Sequence, residues 1–382
     1  LPFIKGVVIS KFFQKVFKII SYGFFFKIYG KIEETIKSTN NSRVEIKKIN
    51  FEKDLEYNIY IINSGRLYTD RIHDTAILID NKILEEPSFQ LRYTKDSKVY
   101  NANSKDNIVF EKGTPRKLKN FDGKVLSLLT GGGGNDNYWH WLFDVLPRFG
   151  LCSKILNLNE IDYFLLPSVL RKFQAETLDC LKIPKNKCLS SIKYRHIKAK
   201  KLIVTDHPVV VSGNATEDIQ NMPEWIFNWL KNSFLNEDTM EKSSSRKKIF
   251  IDRNNNSSIN SSERLIENEK ELKEYLLKNN FAPVKLHETN FKDQVNLFYN
   301  AECIIGLHGG GFGNIVFCKP QTKIIEFRSL TAGPVIENLA KKNHLNYNSI
   351  ISEARQEINK KLKNQQGSIH IDMNNLIKVL EN

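Results

Sequence analysis

The chain lacks several features that would settle its class at once. Its 382 residues contain no run of 18 apolar residues, so no segment reads as a spanning helix. Its five cysteines, Cys152, Cys180, Cys188, Cys303 and Cys318, are odd in number and form no CxxC pair. That excludes a disulfide framework and a zinc site of the usual spacing, and fits a reducing compartment. No Gly-Lys-Ser/Thr P-loop occurs, and no G-x-G-x-x-G opens a helix in a dinucleotide context, so kinase and dehydrogenase readings are weak. No Asp-x-Asp occurs either, so the carboxylate pair that grips a metal–diphosphate complex in many transferases is missing. No repeat is present.

Acid is also in deficit. Lys and Arg number 57 against 43 Asp and Glu, a net charge of +14. That excess suits nucleic acid, an anionic membrane or an acidic ligand such as a nucleotide diphosphate. Nucleic acid drops out, because no helix-turn-helix or aromatic-plus-basic sheet motif accompanies the charge. Residues 1–31 hold six lysines and no acid, interleaved with Phe3, Phe12, Phe13, Phe17, Phe24, Phe25 and Phe26. Such a stretch can lie on an anionic bilayer, or pack as an ordinary helix on its domain. The expected location is the cytoplasm, with this segment at the inner membrane face.

At 41% hydrophobic and 26% charged residues the chain can fill two cores, and its length suggests two domains. The polar stretch 236–248 reads as a linker between residues 32–235 and 249–382. Beyond it, strands are expected at 248–252, 282–286, 303–307 and 322–327. Helices are expected at 269–278, with Asn268 and Glu271 as a capping box, and at 290–299 and 335–342. Before it, strands are expected at 57–62, 75–79, 125–129, 161–166 and 202–205, and helices at 136–146 and 169–181. Strands alternating with helices imply an α/β class with parallel sheets.

Three segments carry chemistry. In 131–148, GGGGNDNYWHWLFDVLPR, a glycine turn opens a helix that Asp136 can cap. His140 and Asp144, four apart, share a face, where the carboxylate can orient the imidazole and raise its basicity for general-base work. Tyr138, Trp139 and Trp141 offer flat faces that suit sugar rings. In 304–314, IIGLHGGGFGN, a strand ends at His308 and Gly309, Gly310, Gly311 and Gly313 follow. A backbone this bare lets a diphosphate approach the N–H groups of a helix start. The HGGG run is also an esterase signature, but no G-x-S-x-G elbow exists in the chain. In 249–262 a strand delivers Arg253 to its carboxyl end, where it can pair with phosphate oxygens. Glu326 ends another strand, where a carboxylate can accept from ribose hydroxyls.

These blocks resemble glycosyltransferase family 61. Residues 137–142 (NYWHWL) with 144–148 (DVLPR) are similar to its N-Y-x-H-W-L…D-x-L-P-R block. Residues 250–253 (FIDR), then Arg264 and Asn268-Glu269, resemble its (I/Y)-x-x-R…R-x-(I/L)-x-N-E block. Residues 306–314 (GLHGGGFGN) resemble its G-x-H-G-A-G-L-x-N block, with Gly310 and Phe312 as mild departures, and Gln294 and Glu326 fall where the family has Q and E. The resemblance covers roughly residues 65–345. It implies a GT-B architecture, two Rossmann-like domains facing a central cleft. It implies inverting transfer from a nucleotide-sugar, typically a UDP-sugar, with neither metal nor cofactor. Arg253, His308, Gly309, Gly310, Gly311 and Asn314 would hold the donor. His140 and Asp144 would be catalytic, with Asp144 or Asp136 the alternative to His140 as the base, and Asn137, Tyr138, Trp139 and Trp141 would line the acceptor side. Expected partners are the nucleotide-sugar and a glycan or lipid-linked acceptor. Bacterial members resemble polysaccharide and capsule enzymes, which the Lys/Asn-rich composition suits. A non-catalytic carbohydrate-binding or polysaccharide-assembly protein on the same fold is the rival reading; the intact His140, Asp144 and Arg253 argue against it.

Overall fold

Apolar runs bounded by polar turns mark most of the strands in the second half of the chain. In the computed structural model, which describes residues 13, 16, 19–52, 55–70, 74–94, 99–129, 137–236, 247–253, 264–354 and 367–381, five of them form one parallel sheet. The strands are Lys247–Ile251, Phe281–Val284, Ala301–Leu307, Lys323–Ser329 and Asn346–Ser352. Numbered one to five in chain order, they lie side by side as 2-1-3-4-5. Ile249, Ile304, Ile305, Ile324 and Ile325 are all fully buried, as expected where helices cover both faces. This order reverses direction between the first and third strands. In open α/β sheets, ligands bind beyond the carboxyl ends of strands at such a switch point.

The first half builds a ten-stranded mixed sheet. Its parallel block runs His196–Thr205, Lys119–Ser127, Tyr163–Leu166 and Cys188–Ser190. The strand His196–Thr205 then divides its other edge between two antiparallel neighbours, Arg66–Thr69 along its start and Leu55–Asn63 along its end. Val44–Glu52, Thr75–Ile79, Lys82–Leu84 and Glu34–Ile36 extend the sheet outward. Only part of this half is therefore Rossmann-like.

Helices fill the space between the two sheets and share one hydrophobic cluster. Phe234 at the end of Glu224–Phe234, Phe291 at the start of Phe291–Tyr299 and Phe317 meet edge to face, with centroids 4.8–6.2 Å apart. The Phe291 N–H also donates to the Glu176 carboxylate across the junction, at 2.9 Å. The expected linker 236–248 falls largely outside the described residues, and Lys247 and Lys248 already belong to a strand.

Two local expectations are corrected. Asn268 does precede the helix Glu269–Lys278, but no capping box forms. Its side chain exchanges two hydrogen bonds with the Ile371 backbone instead, at 2.9 Å each, so a long-range strap outcompetes the local cap. The expected helix 136–146 is not continuous. An α-turn at Tyr138–His140 gives way to a π-helical turn at Trp141–Val145, where Leu146 N–H donates to the Trp141 carbonyl five residues back. Pro147 supplies the reason: in an α-helix its ring would strike the Phe143 carbonyl, and the wider turn moves that carbonyl aside.

Phe291→Ala should lower unfolding free energy by about 3–5 kcal/mol, the usual cost of emptying a buried phenylalanine site. Urea denaturation followed by circular dichroism measures it. A loss under about 1 kcal/mol would mean that the shared cluster does not bind the two halves together.

Candidate active site

The turn after Ala301–Leu307 and the end of Lys247–Ile251 meet at the switch point. Arg253 Nη1 donates to the His308 carbonyl at 2.9 Å, and Arg264 Nη1 donates to the same oxygen at 3.0 Å. Two guanidinium groups thus converge on one carbonyl, and among the described residues neither is paired with a carboxylate. Loss of solvent and the neighbouring Arg264 charge push the Arg253 pKa down to about 10; burial lowers Arg264 too. Both stay cationic at neutral pH, so the site is a positive pole with no anion of its own among the described residues. Gly309 makes the approach possible: a Cβ there would stand 3.1 Å from Arg253 Nη1. A cavity of about 160 Å³ lies at this point, lined by Arg253, Leu286, His287, Gly309, Gly311 and Phe312. A larger one, about 640 Å³, opens beyond Asp252 between Phe281–Val284 and Phe291–Tyr299, and neither the glycine turn nor His140 lines it.

Behind the turn, His308 Nδ1 bonds Glu326 Oε1, and the Tyr347 hydroxyl donates to Glu326 Oε2 at 2.5 Å. Glu326 is fully buried with both oxygens engaged. The expectation that it receives ribose hydroxyls is therefore corrected: it orients His308 from within. Asn314 is likewise fully buried, accepting from Tyr138 Oη and donating to Gln294 Oε1 at 2.9 Å. Its side chain ties the two halves together and is closed off from solvent. The segment Gly310–Phe317 forms a 3₁₀ helix, and the first turn of any helix leaves its N–H groups without partners of its own.

The helix start at Asn137–Trp139 stands against this turn. Asn137, exposed, caps it by accepting from Trp139 N–H at 2.8 Å; the expected cap Asp136 and Gly131–Gly134 lie outside the described residues. A Cβ at Gly310 would lie 3.6 Å from Asn137 Oδ1 and 3.8 Å from the Trp139 side chain. Trp139 is half-buried and packs on Phe143. Trp141 is not on this surface. It is fully buried, with its indole N–H on Thr177 Oγ1 at 2.8 Å, so it packs the core and offers no face to a ligand.

One turn on, His140 Nδ1 lies 2.5 Å from Asp144 Oδ2. His140 is 30% exposed and Asp144 9%. Burial disfavours charge on the imidazole, but attraction and hydrogen bonding to Asp144 outweigh it and raise its pKa above the ordinary histidine value. For Asp144 burial pushes up, while His140 and the Arg148 charge hold it below the usual carboxylate range. Nδ1 is occupied, so Nε2 is the nitrogen left to take a proton. Arg148, noted only as part of a sequence block, is a further positioning residue. Buried, it donates through Nε to the Asp144 carbonyl and through Nη1 to Thr205 Oγ1 at 2.9 Å, fixing the π-turn to the end of the central strand. His207 nearby is locked as an acceptor from Val209 and Val210 N–H, and burial drops its pKa to about 3, which leaves it neutral. Among the described residues no group of three or more His, Cys, Asp or Glu could hold a metal ion.

A family model described as Glycosyltransferase 61 matches residues 138–325, from the first residue of the His140 helix to the strand that ends the switch-point site. No curated protein matches the chain.

The His140–Asp144 pair makes stability pH-dependent with a definite sign. The raised His140 value contributes stability that is full below its unfolded pKa of about 6.5 and fades as pH rises through the folded value. The depressed Asp144 value contributes above its unfolded pKa of about 3.9 and fades as pH falls. Asp144→Asn leaves burial unopposed, so the His140 pKa should fall below its native value in an NMR titration. An unchanged His140 pKa would show that the two side chains are not coupled.

Proposed function

The chain belongs to glycosyltransferase family 61, and from that premise we propose that it is an inverting, metal-independent enzyme that transfers a sugar from a nucleotide-sugar, a UDP-sugar, to a hydroxyl of a glycan or lipid-linked acceptor in polysaccharide assembly. On this reading the two sheets and their helices act as the two lobes of a GT-B architecture. The observation that carries it is the pair of guanidinium groups on the His308 carbonyl, which meet no carboxylate among the described residues. Cations of this kind, at the carboxyl end of a switch point and beside a glycine turn, suit a diphosphate and need no metal to neutralise it.

In the proposed reaction the acceptor hydroxyl attacks the anomeric carbon from the face opposite the diphosphate. His140 Nε2 takes the hydroxyl proton while Asp144 steadies the imidazolium that forms. The bond to the diphosphate oxygen breaks, and its electron pair leaves on an oxygen held by Arg253, Arg264 and the N–H groups of 309–311. Asn137, Tyr138 and Trp139 stand on the acceptor side. His308, oriented by Glu326, faces the donor.

The two roles separate experimentally. Arg253→Ala should weaken UDP binding, measured by calorimetry in EDTA, by about 1.5–3 kcal/mol, the range for hydrogen bonds to charged groups. His140→Ala should leave that affinity unchanged and lower kcat by about 10²–10⁴-fold. Unchanged UDP affinity in the first variant would remove the donor assignment. Near-normal turnover in the second would remove His140 from catalysis.

A further inference from the structure

The helix spanning residues 19–29 shows its apolar residues to solvent. Tyr22, Phe25 and Tyr29, at helical spacing, face the protein: Tyr29 stacks on Phe25, sets its ring edge-on to His196 with centroids 4.9 Å apart, and accepts from Leu118 N–H at 2.8 Å. The opposite face carries Ile20, Phe24 and Ile28, which are 64%, 59% and 54% exposed, with Ile19 at 63%. A surface helix of a protein free in water turns such residues inward. The surrounding charge says what covers this one. Lys27 and Lys31 flank the apolar face, and Arg116, Lys117 and Lys119 stand exposed around the Leu118 contact. The sequence of residues 1–18 adds four more lysines and no acid. An apolar face flanked by lysines fits acyl chains beneath anionic headgroups.

The placement of this helix adds a second point. Tyr29 packs at His196, the first residue of the strand His196–Thr205. Arg148, which holds Asp144, bonds Thr205 at the last. A ten-residue strand is about 30 Å long. We propose that the outward face of helix 19–29 docks the protein on an anionic bilayer at the end of the first sheet opposite His140 and Asp144, so that the site stands about 30 Å from the lipid surface. Resting on the transferase reading, this narrows the acceptor: its hydroxyl reaches the site at the end of an extended glycan or spacer, not on a sugar seated at the headgroups.

The test needs no turnover, so its failure is distinct from failure of the transferase reading. The whole chain is mixed with vesicles of brominated phosphatidylglycerol and phosphatidylcholine, and with phosphatidylcholine alone. Native protein should sediment with the anionic vesicles only and be released by salt. Its own tryptophans, all between 139 and 229, should stay unquenched by the brominated chains. Phe24→Trp should add an emission that is quenched. The double variant Ile20→Glu, Phe24→Glu should bind more than roughly tenfold more weakly while keeping its UDP affinity. Equal sedimentation with neutral vesicles, or full binding by the double variant, would overturn the docking face. Quenching of the native tryptophans would overturn the separation of site from membrane.

Discussion

Everything at the centre of this structure turns on one carbonyl oxygen. The His308 carbonyl receives Arg253 and Arg264 together, and no acid offsets them among the described residues. Two like charges converging in a partly dehydrated place repel each other, and a protein keeps such an arrangement when an anion completes it. The rest of the second half serves to hold that pole. The 2-1-3-4-5 strand order opens a crevice there. Gly309 leaves room for the guanidinium, and Glu326 and Tyr347 anchor the His308 ring from behind.

The first half meets the pole through a short stretch of helix. Tyr138 reaches Asn314, and Asn137 and Trp139 stand over Gly310. His140 and Asp144 follow within two turns, tied by Arg148 to the end of the central strand. The His140–Asp144 pair from one half therefore follows directly on the residues that touch the glycine turn of the other, with the shared aromatic cluster fixing the approach. On the proposed reading donor and acceptor chemistry are divided between the halves, and the apolar helix at residues 19–29 lies at the far end of the same sheet.

Much of this was readable in the residues. The run at 303–307 (CIIGL) is apolar throughout, that at 322–327 (TKIIEF) holds Ile324, Ile325 and Phe327, and both fall in buried strands. The His140–Asp144 spacing placed the two side chains together, and the glycine turn after His308 marked the end of a strand. What escaped was set by partners far away in the chain. Asn346–Ser352 (NYNSIIS) is an edge strand with only Ile350 fully buried, so no apolar run announces it. Glu326 reads as a ligand until Tyr347 and His308 occupy both its oxygens, and Trp141 reads as a sugar platform until Thr177 binds its indole. The π-turn had a local signal in Pro147, five residues beyond Leu142, which the pairing of His140 with Asp144 overshadowed. Arg264 had a signal too, in the block that ends at Glu269, but its convergence with Arg253 is a tertiary fact.

The most direct measurement of the central claim uses Trp139, whose side chain flanks the glycine turn. UDP titrated into the protein in EDTA should change tryptophan emission saturably, because the diphosphate would sit on Gly309–Gly311 beside that ring. Trp139→Phe should lose the change while calorimetry returns the native affinity. An emission change that persists undiminished in Trp139→Phe, or UDP binding with no change in the native protein, would place the nucleotide away from the turn and contradict the account.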